Sequence, residues 1–211
     1  MAVRGTRRVR HMELKSIQGV CGILAPAVAF TSIISSILLH PWFSFPHNAL
    51  SDLGAVGTPY NAIFNLGLVI TGVLSLIFMP GLRTLLHGAV GKIGGVVLSA
   101  GLLSLILIGV FPEGTFPHWY VSVGFFVFSA TGITLIGTDQ ALTRAARPWG
   151  VLVLSLVALA LVSVSLIWTI DGIKPAIPET IGAFVFSEFS LIFAARLLLS
   201  ARSYSARSSG L

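Results

Sequence analysis

The residues that could do chemistry in this sequence lie in short polar breaks between long apolar runs. Ser51 and Asp52 follow the first run, Glu113 precedes the fourth, and His118 opens it. Carboxylates and imidazoles are the usual general acids and bases, and a neighbouring serine can act as a nucleophile or a hydrogen-bond donor. We therefore predict that Ser51, Asp52, Glu113 and His118 form a catalytic group.

Part of this set also has the side chains that bind zinc. His47, Asp52 and His118 would supply two imidazoles and one carboxylate, which are common ligands of Zn²⁺. The sequence contains no HExxH motif and no two histidines four residues apart, so the spacing does not select a metal. A divalent metal such as zinc stays an open alternative.

The same residues also have structural explanations. Ser51-Asp52-Leu53-Gly54 is typical of a turn, because serine and aspartate accept hydrogen bonds from nearby backbone amides and glycine permits positive φ. It is also suited to capping a short helix. The sequence alone favours the turn, and polar residues at loop ends are commonly solvated.

Further polar residues are predicted to contact a substrate. Ser122 lies one helical turn beyond His118, and Asn65 forms an i, i+4 pair with Asn61. Hydrogen bonding between helices is the alternative for both. The predicted set is Asn65, Ser122, Asp171 and Glu188.

Glu188 lies about ten residues into the last apolar run. A charged, unpaired carboxylate at that depth costs several kcal/mol, so we expect it to be protonated or partnered. The expected partners are Asn65 or a hydroxyl of the first helix, from Thr31, Ser32, Ser35 or Ser36. Either a functional proton or cation site or a structural hydrogen bond would explain it.

The composition determines which elements position these residues. Of the 211 residues 55% are hydrophobic and 9% are charged, with a mean hydropathy of +0.95, whereas soluble domains carry about 25% charged residues. Runs of about 20 apolar residues cross the bilayer as helices. We predict six, at about 17–39, 61–82, 93–111, 118–138, 149–169 and 178–199.

Basic residues give the orientation of these helices. In an alternating six-helix topology every lysine and arginine except Lys174 falls on the side that holds both termini. Cytoplasmic loops are enriched in these residues, so we predict a multi-pass protein of the plasma membrane with both termini cytoplasmic. This distribution explains the net charge of +6 without a nucleic-acid partner.

Three features together resemble a known family. They are the Ser51-Asp52-Leu53-Gly54 turn, Asn65 with Gly67 and Gly72, and Phe111-Pro112-Glu113 followed by His118. The combination, over roughly residues 17–200, resembles the prokaryotic membrane family called domain of unknown function 998, and is distantly similar to Frag/DRAM-type proteins. The family often has an aspartate before the histidine, where this sequence has Glu113 at a different spacing. The resemblance implies several transmembrane helices and no settled activity.

Three functional hypotheses follow. The first is a site at the outer leaflet that binds or modifies a lipid or lipid-linked substrate. The second is a small proton- or ion-coupled transporter that uses Glu188. The third is a non-catalytic scaffold, whose glycine-rich helices would pack against partners, including further copies of the chain.

The predicted division of the chain is a basic N-terminal segment at 1–16, a transmembrane domain at 17–200 and a cytoplasmic tail at 201–211. Translation could start at Met1 or Met12. We expect single cysteines at positions 5 and 205 to react with an impermeant thiol reagent from the same side of the membrane. Labelling from opposite sides would contradict the six-helix topology.

Overall fold

The computed structural model describes residues 2–173 and 175–209, with side chains for residues 12–173 and 175–201. Met1, Lys174 and the side chains of Arg202 and Arg207 lie outside the described residues. Because lipid offers no partner for backbone amides, each apolar run has to satisfy its own hydrogen bonds. The described chain accordingly has no strand. It forms α1 Ala2–Leu39, a 3-10 helix Leu50–Gly54, α2 Asn61–Arg83, α3 Ala89–Val110, α4 His118–Leu142, α5 Arg147–Ile167 and α6 Ala176–Ser209.

Six of these helices are long and apolar enough to span a membrane, which confirms the predicted all-α membrane fold. The spans are Met12–Leu39, Asn61–Arg83, Ala89–Val110, His118–Leu142, Arg147–Ile167 and Ala176–Ala201. The third begins earlier than predicted, because the helix starts just after Gly88 and takes Lys92 into its first turns.

The helices form a ring in chain order, which α6 closes by packing against α1. We call the end that carries the 3-10 helix and loops 40–60, 111–117 and 168–175 the acidic face, since Asp52, Glu113 and Asp171 lie in its loops. The opposite end, with Arg83 and Arg147, is the basic face. Every predicted catalytic residue lies at the acidic face.

A side chain of α6 replaces a backbone hydrogen bond that a proline removes from α1. Pro26 has no N–H, so the carbonyl of Gly22 loses its normal intrahelical donor. The hydroxyl of Ser190 in α6 donates to that carbonyl at 2.7 Å. The contact joins the two ends of the ring at a depth where water is absent.

The two halves of the bundle are packed differently around α5. Val153 and Val157 of α5 belong to the core cluster of the basic-face half. The cluster of the acidic-face half includes Leu53, Phe64 and Phe125 but no α5 residue. No residue of α5 after Val157 is buried. The second half of α5 therefore lies outside the packed core of the bundle.

A buried aspartate binds the loop between α2 and α3 at the basic face. Asp139 is 4% exposed, and it accepts hydrogen bonds from the backbone N–H of His87 at 3.0 Å and of Gly88 at 2.6 Å. Its neighbour Gln140 donates to the carbonyl of Leu85 at 2.9 Å and accepts from Arg196 at 2.8 Å. The carboxylate thus pairs the amides of the two residues that precede α3, close to the positive end of the helix dipole.

Close contact between α3 and α4 depends on Gly132. A Cβ at this position would lie 2.6 Å from the backbone nitrogen of Leu98, so Gly132→Ala should destabilise the protein by roughly 1–3 kcal/mol. Gly95→Ala on α3 is the matched control, since its Cβ would meet Leu86 at 3.4 Å. Thermal unfolding in detergent should show a lowered midpoint for the first variant only; equal midpoints would contradict this packing.

Candidate functional site

Loop 40–60 folds over the acidic face and is anchored in the core by its 3-10 helix. Leu50 and Leu53 are buried among residues of α1, α2, α3 and α4. With these two side chains inserted, Ser51 and Asp52 between them are held half-buried at the membrane boundary. The hydrophobic anchors therefore position the polar pair that the sequence singled out.

Helix α2 holds the end of the 3-10 helix. Asn65 donates to the carbonyl of Gly54 at 2.9 Å, and Asn61 donates to that of Ala55 at 3.0 Å. A Cβ on Gly54 would collide with the Asn65 side chain and with Phe64. Asn65 therefore positions the loop. Asn65 does not line the cavity of this site, so the structure does not bring it to the predicted contact with a substrate.

The loop is also fastened to α6 and to the α3–α4 loop. Glu179 accepts from the N–H of Leu50 at 2.5 Å, and the N–H of Ala176 donates to the carbonyl of Asn48 at 3.0 Å. The N–H of Val56 donates to the carbonyl of Glu113 at 2.9 Å. These bonds bring two loops and the first turn of α6, which are distant in sequence, onto one site.

His118 and Glu113 form the central pair of this site. The Nδ1 of His118 is 2.9 Å from the carbonyl oxygen of Phe111, and a carbonyl only accepts, so Nδ1 carries a proton. The Nε2 is 2.9 Å from Oε2 of Glu113. A contact of that length between a ring nitrogen and a carboxyl oxygen requires a proton between them. The pair therefore holds one transferable proton.

Two hydroxyl groups lie next to the shared proton. Ser122 Oγ is 3.2 Å from Nε2 of His118, and Ser51 donates to Oε2 of Glu113 at 3.4 Å. The arrangement differs from a Ser-His-acid triad, where the acid binds the nitrogen opposite to the serine. Here the acid and the serine share Nε2. This geometry suits general acid–base chemistry, with each serine as donor or nucleophile.

Asp52 is a capping residue in this structure. Its Oδ2 accepts from the backbone N–H of Ala49 at 2.9 Å and from the side chain of Asn48 at 3.2 Å. The turn interpretation thus accounts for one of its oxygens. The structure gives no contact between Asp52 and His118, so these two predicted catalytic residues line the same cavity without touching.

A cavity of about 830 Å³ opens from this site between α4, α5 and α6. Its polar end is lined by His47, Ser51, Asp52, Glu113, His118, Ser122 and Glu179. Its walls farther along the spans are apolar and include Val127, Ile133, Val157, Leu161, Val164 and Val185. Ile133 lies roughly 22 Å from His118 along α4, which exceeds half of a hydrocarbon core of about 30 Å. We call this space the cleft.

The pair connects the cleft with the loop surface. The side chain of His118 is 7% exposed and that of Glu113 is 44% exposed. Glu113 is therefore accessible to water, while His118 is buried beside it, and both residues line the cleft. A second, smaller cavity of about 80 Å³ lies deeper in the bundle and shares Ser51, Ser122 and Glu179 with the cleft.

Other predicted site residues are not brought together. Asp171 is exposed and lies outside the cleft. His47 is exposed at the mouth, and no three His, Cys, Asp or Glu side chains among those described are placed to hold a metal ion. The structure therefore does not assemble His47, Asp52 and His118 as a ligand set.

Glu188 does not have the partner that the sequence suggested. It is exposed on α6, in a stripe with Phe184, Leu191 and Leu199 that faces away from the bundle. Asn65 is bonded to Gly54 and Ser32 to Ala29, and no described side chain hydrogen-bonds to Glu188. The prediction of an internal partner is wrong because sequence gives the depth of a residue but not the side of the helix that it occupies.

Sequence reasoning also left out contributors to the site. Glu179 lies at the predicted outer face but outside the predicted site sets, although an acid in the first turn of the last span is a usable signal. The apolar walls on α5 and α6 carry no signal, because side chains that face lipid and side chains that face a cleft have the same composition.

The chain is thus a six-helix membrane protein with a polar site at the mouth of a membrane-embedded cleft. The sequence model of the family described as "Protein of unknown function (DUF998)" matches residues 23–196. The chain belongs to this family, as its motifs suggested. It matches no curated protein and no solved structure. The distant similarity to Frag/DRAM-type proteins stays a prediction.

Replacing Asn65 should loosen the loop that carries Ser51. Asn65→Ala removes the bond to Gly54, worth about 1 kcal/mol, so amides of residues 50–56 should exchange hydrogen roughly fivefold faster. Ser99→Ala is the control, because Ser99 donates only to Gly95 within α3. Hydrogen–deuterium exchange read by mass spectrometry measures both. Unchanged exchange in the Asn65 variant would show that the bond does not hold the loop.

Proposed function

We propose that this protein binds a lipid or lipid-linked amphiphile at the outer leaflet and modifies its headgroup by acid–base chemistry. The observation that carries the proposal is the cleft, whose acids and histidines all lie at one end and whose remaining walls are apolar apart from Ser129. An amphiphile has the same division, because its headgroup remains at the membrane boundary while its tail stays in hydrocarbon. The volume of about 830 Å³ lies within the ~300–1,000 Å³ usual for ligand pockets.

The way into the cleft is supported by the course of α5. Past Val157 this helix has no buried residue, and it makes less contact with α6 than with α4. A tail could therefore pass between α5 and α6 directly from the bilayer. The substrate would not have to leave hydrocarbon, which would cost about 0.8 kcal/mol for each methylene exposed to water.

The reactive step would use the proton held by Glu113 and His118. Once the shared proton has been lost, Nε2 of His118 would take a proton from an attacking hydroxyl or water, and with the shared proton in place it would give one to a leaving oxygen. Ser122, at 3.2 Å from Nε2, is the nearest hydroxyl. Asp52 would support the headgroup and the 3-10 helix, and Ser51 would orient Glu113.

Placement in the plasma membrane with both termini in the cytoplasm belongs to this proposal. It is supported by Arg83, Lys92, Arg144 and Arg147 at the basic face and by the acids at the opposite face. The carrier hypothesis has no such support, because Glu188 lies outside the cleft and faces away from the bundle.

A photoreactive probe tests where a tail binds. We expect a monoacyl glycerol with a diazirine in its tail to label residues of α4, α5 and α6 that line the cleft. Ala160→Phe should abolish labelling, because Ala160 lines the cleft. Ala158→Phe, on the exposed side of the same helix, should leave labelling unchanged. Labelling that is equal in both variants would indicate lipid contact with the outer surface only.

Chemical modification is tested separately in cells. Extracted lipids should contain a species that depends on the wild-type protein and disappears with His118→Ala or Glu113→Gln, while both variants still bind the photoreactive probe. Gly95→Ala, which is remote from the site, is the control. A lipid profile that is identical for the wild type and His118→Ala would leave a binding function without a reaction.

A further inference from the structure

One acidic side chain lies deep in the membrane on the outer surface of the bundle. Glu188 is midway along the span Ala176–Ala201, about 18 Å of helix from one end and about 20 Å from the other. Both distances exceed half of a hydrocarbon core of about 30 Å. A glutamate side chain is too short to reach water from this depth, so its carboxyl group lies in hydrocarbon.

A single copy of the chain gives this carboxyl group no partner. Glu188 is exposed, and no residue that the structure describes forms a hydrogen bond or an ion pair with it. Ser190, two residues further along α6, shows the usual solution, because its hydroxyl donates to the carbonyl of Gly22 at 2.7 Å. A polar group withdrawn from water without such a bond is costly. Glu188 therefore requires a partner from outside the chain.

Glu188 belongs to a regular stripe of exposed residues on α6. The α6 stripe consists of Phe184, Glu188, Leu191, Ala195 and Leu199, at intervals of four, three, four and four residues. A repeat of about 3.5 residues presents a continuous edge to a second helix, and helices in membranes commonly pack with the crossing angle of coiled coils. The carboxyl group at its centre distinguishes this stripe from an ordinary lipid-facing surface.

The partner that fits the stripe is α6 of a second copy of the chain. Two copies inserted with the same orientation are related by an axis perpendicular to the membrane, so their α6 helices run parallel and both Glu188 residues lie at the same depth. A carboxylic acid donates one hydrogen bond through its O–H and accepts others through its oxygens. Two such groups complement each other, so no further residue is needed.

We propose that the protein forms a parallel homodimer through the α6 stripe, with the carboxyl groups of the two Glu188 residues hydrogen-bonded to each other at its centre. The contact supplies the hydrogen bond that neither lipid nor a single copy provides. The inference is independent of the proposed function, because Glu188 lies outside the cleft.

Cysteine cross-linking of the full-length chain in its membrane tests the contact. In a Cys21→Ala background, Leu191→Cys places a thiol one helical turn from Glu188, and oxidation with copper phenanthroline should give a disulfide-linked dimer on non-reducing gels. Val73→Cys is the matched control, because Val73 lies at about the same depth on α2 and is 44% exposed, against 37% for Leu191. No dimer from Leu191→Cys, or equal yields from both variants, would overturn the inference.

The strength of association in liposomes tests the carboxyl pair itself. Glu188→Leu keeps the stripe apolar but removes the hydrogen bond, so it should raise the dissociation constant of the dimer about tenfold. Glu188→Gln should associate nearly as tightly as the wild type, because a carboxamide also donates and accepts. Val73→Leu, outside the stripe, should leave the constant unchanged. Energy transfer between fluorescently labelled copies, diluted stepwise with lipid, measures all four proteins.

Two results would reject the pairing. A purified wild-type chain that stays monomeric in liposomes would mean that Glu188 bonds to a different membrane protein or faces lipid. A Glu188→Leu variant that associates as tightly as the wild type would show that the carboxyl groups do not hold the contact. Glu188 faces away from the bundle, so the thermal unfolding midpoint of the monomer should be preserved in this variant, which separates lost association from lost folding.

Discussion

The structure depends on one constraint, which is that hydrocarbon supplies no hydrogen-bond partner to a polar group. It makes each span helical, and it explains how individual exceptions are resolved. The carbonyl that Pro26 leaves unpaired is bonded by Ser190 from α6. The amides of the two residues that precede α3 are bonded by Asp139 from α4. In both cases a neighbouring helix supplies what water would supply in a soluble protein, and the repair also fixes how the helices pack.

The same constraint applies to the polar groups at the two faces of the bundle. At the basic face Asp139 and Gln140 are satisfied by surrounding backbone and side chains. At the acidic face the loops are fastened just as firmly, through Asn65 and Glu179, yet carboxyl oxygens remain free beside the cleft. The carboxylate of the basic face is buried and fully bonded, whereas Glu113 at the acidic face is 44% exposed and accessible to water.

The sequence predicted the parts of this structure that depend on composition and on position along the chain. Six spans followed from apolar runs, and the convergence of Ser51, Glu113 and His118 followed from their places at the ends of those runs. The direction in which each side chain points could not be predicted from the sequence. Glu188 lies at the expected depth on the side of α6 that faces away from the bundle, and Asp52 turns towards its own backbone. The exposure of the second half of α5 was equally unpredictable, because valine and leucine fit a helix contact, a cleft wall and a lipid surface alike.

The position of the Glu113–His118 pair follows from two opposite requirements. In the proposed function, a proton donor for a membrane-bound headgroup has to exchange protons with water, yet it must also reach a molecule whose tail is in hydrocarbon. Glu113 meets the first requirement because it lies in a loop and is 44% exposed; His118 meets the second because it begins α4 and is 7% exposed. The bond from His118 to the Phe111 carbonyl directs the remaining ring nitrogen towards Glu113. Neither residue could meet both requirements alone, so the boundary between loop and span is where such a pair can work.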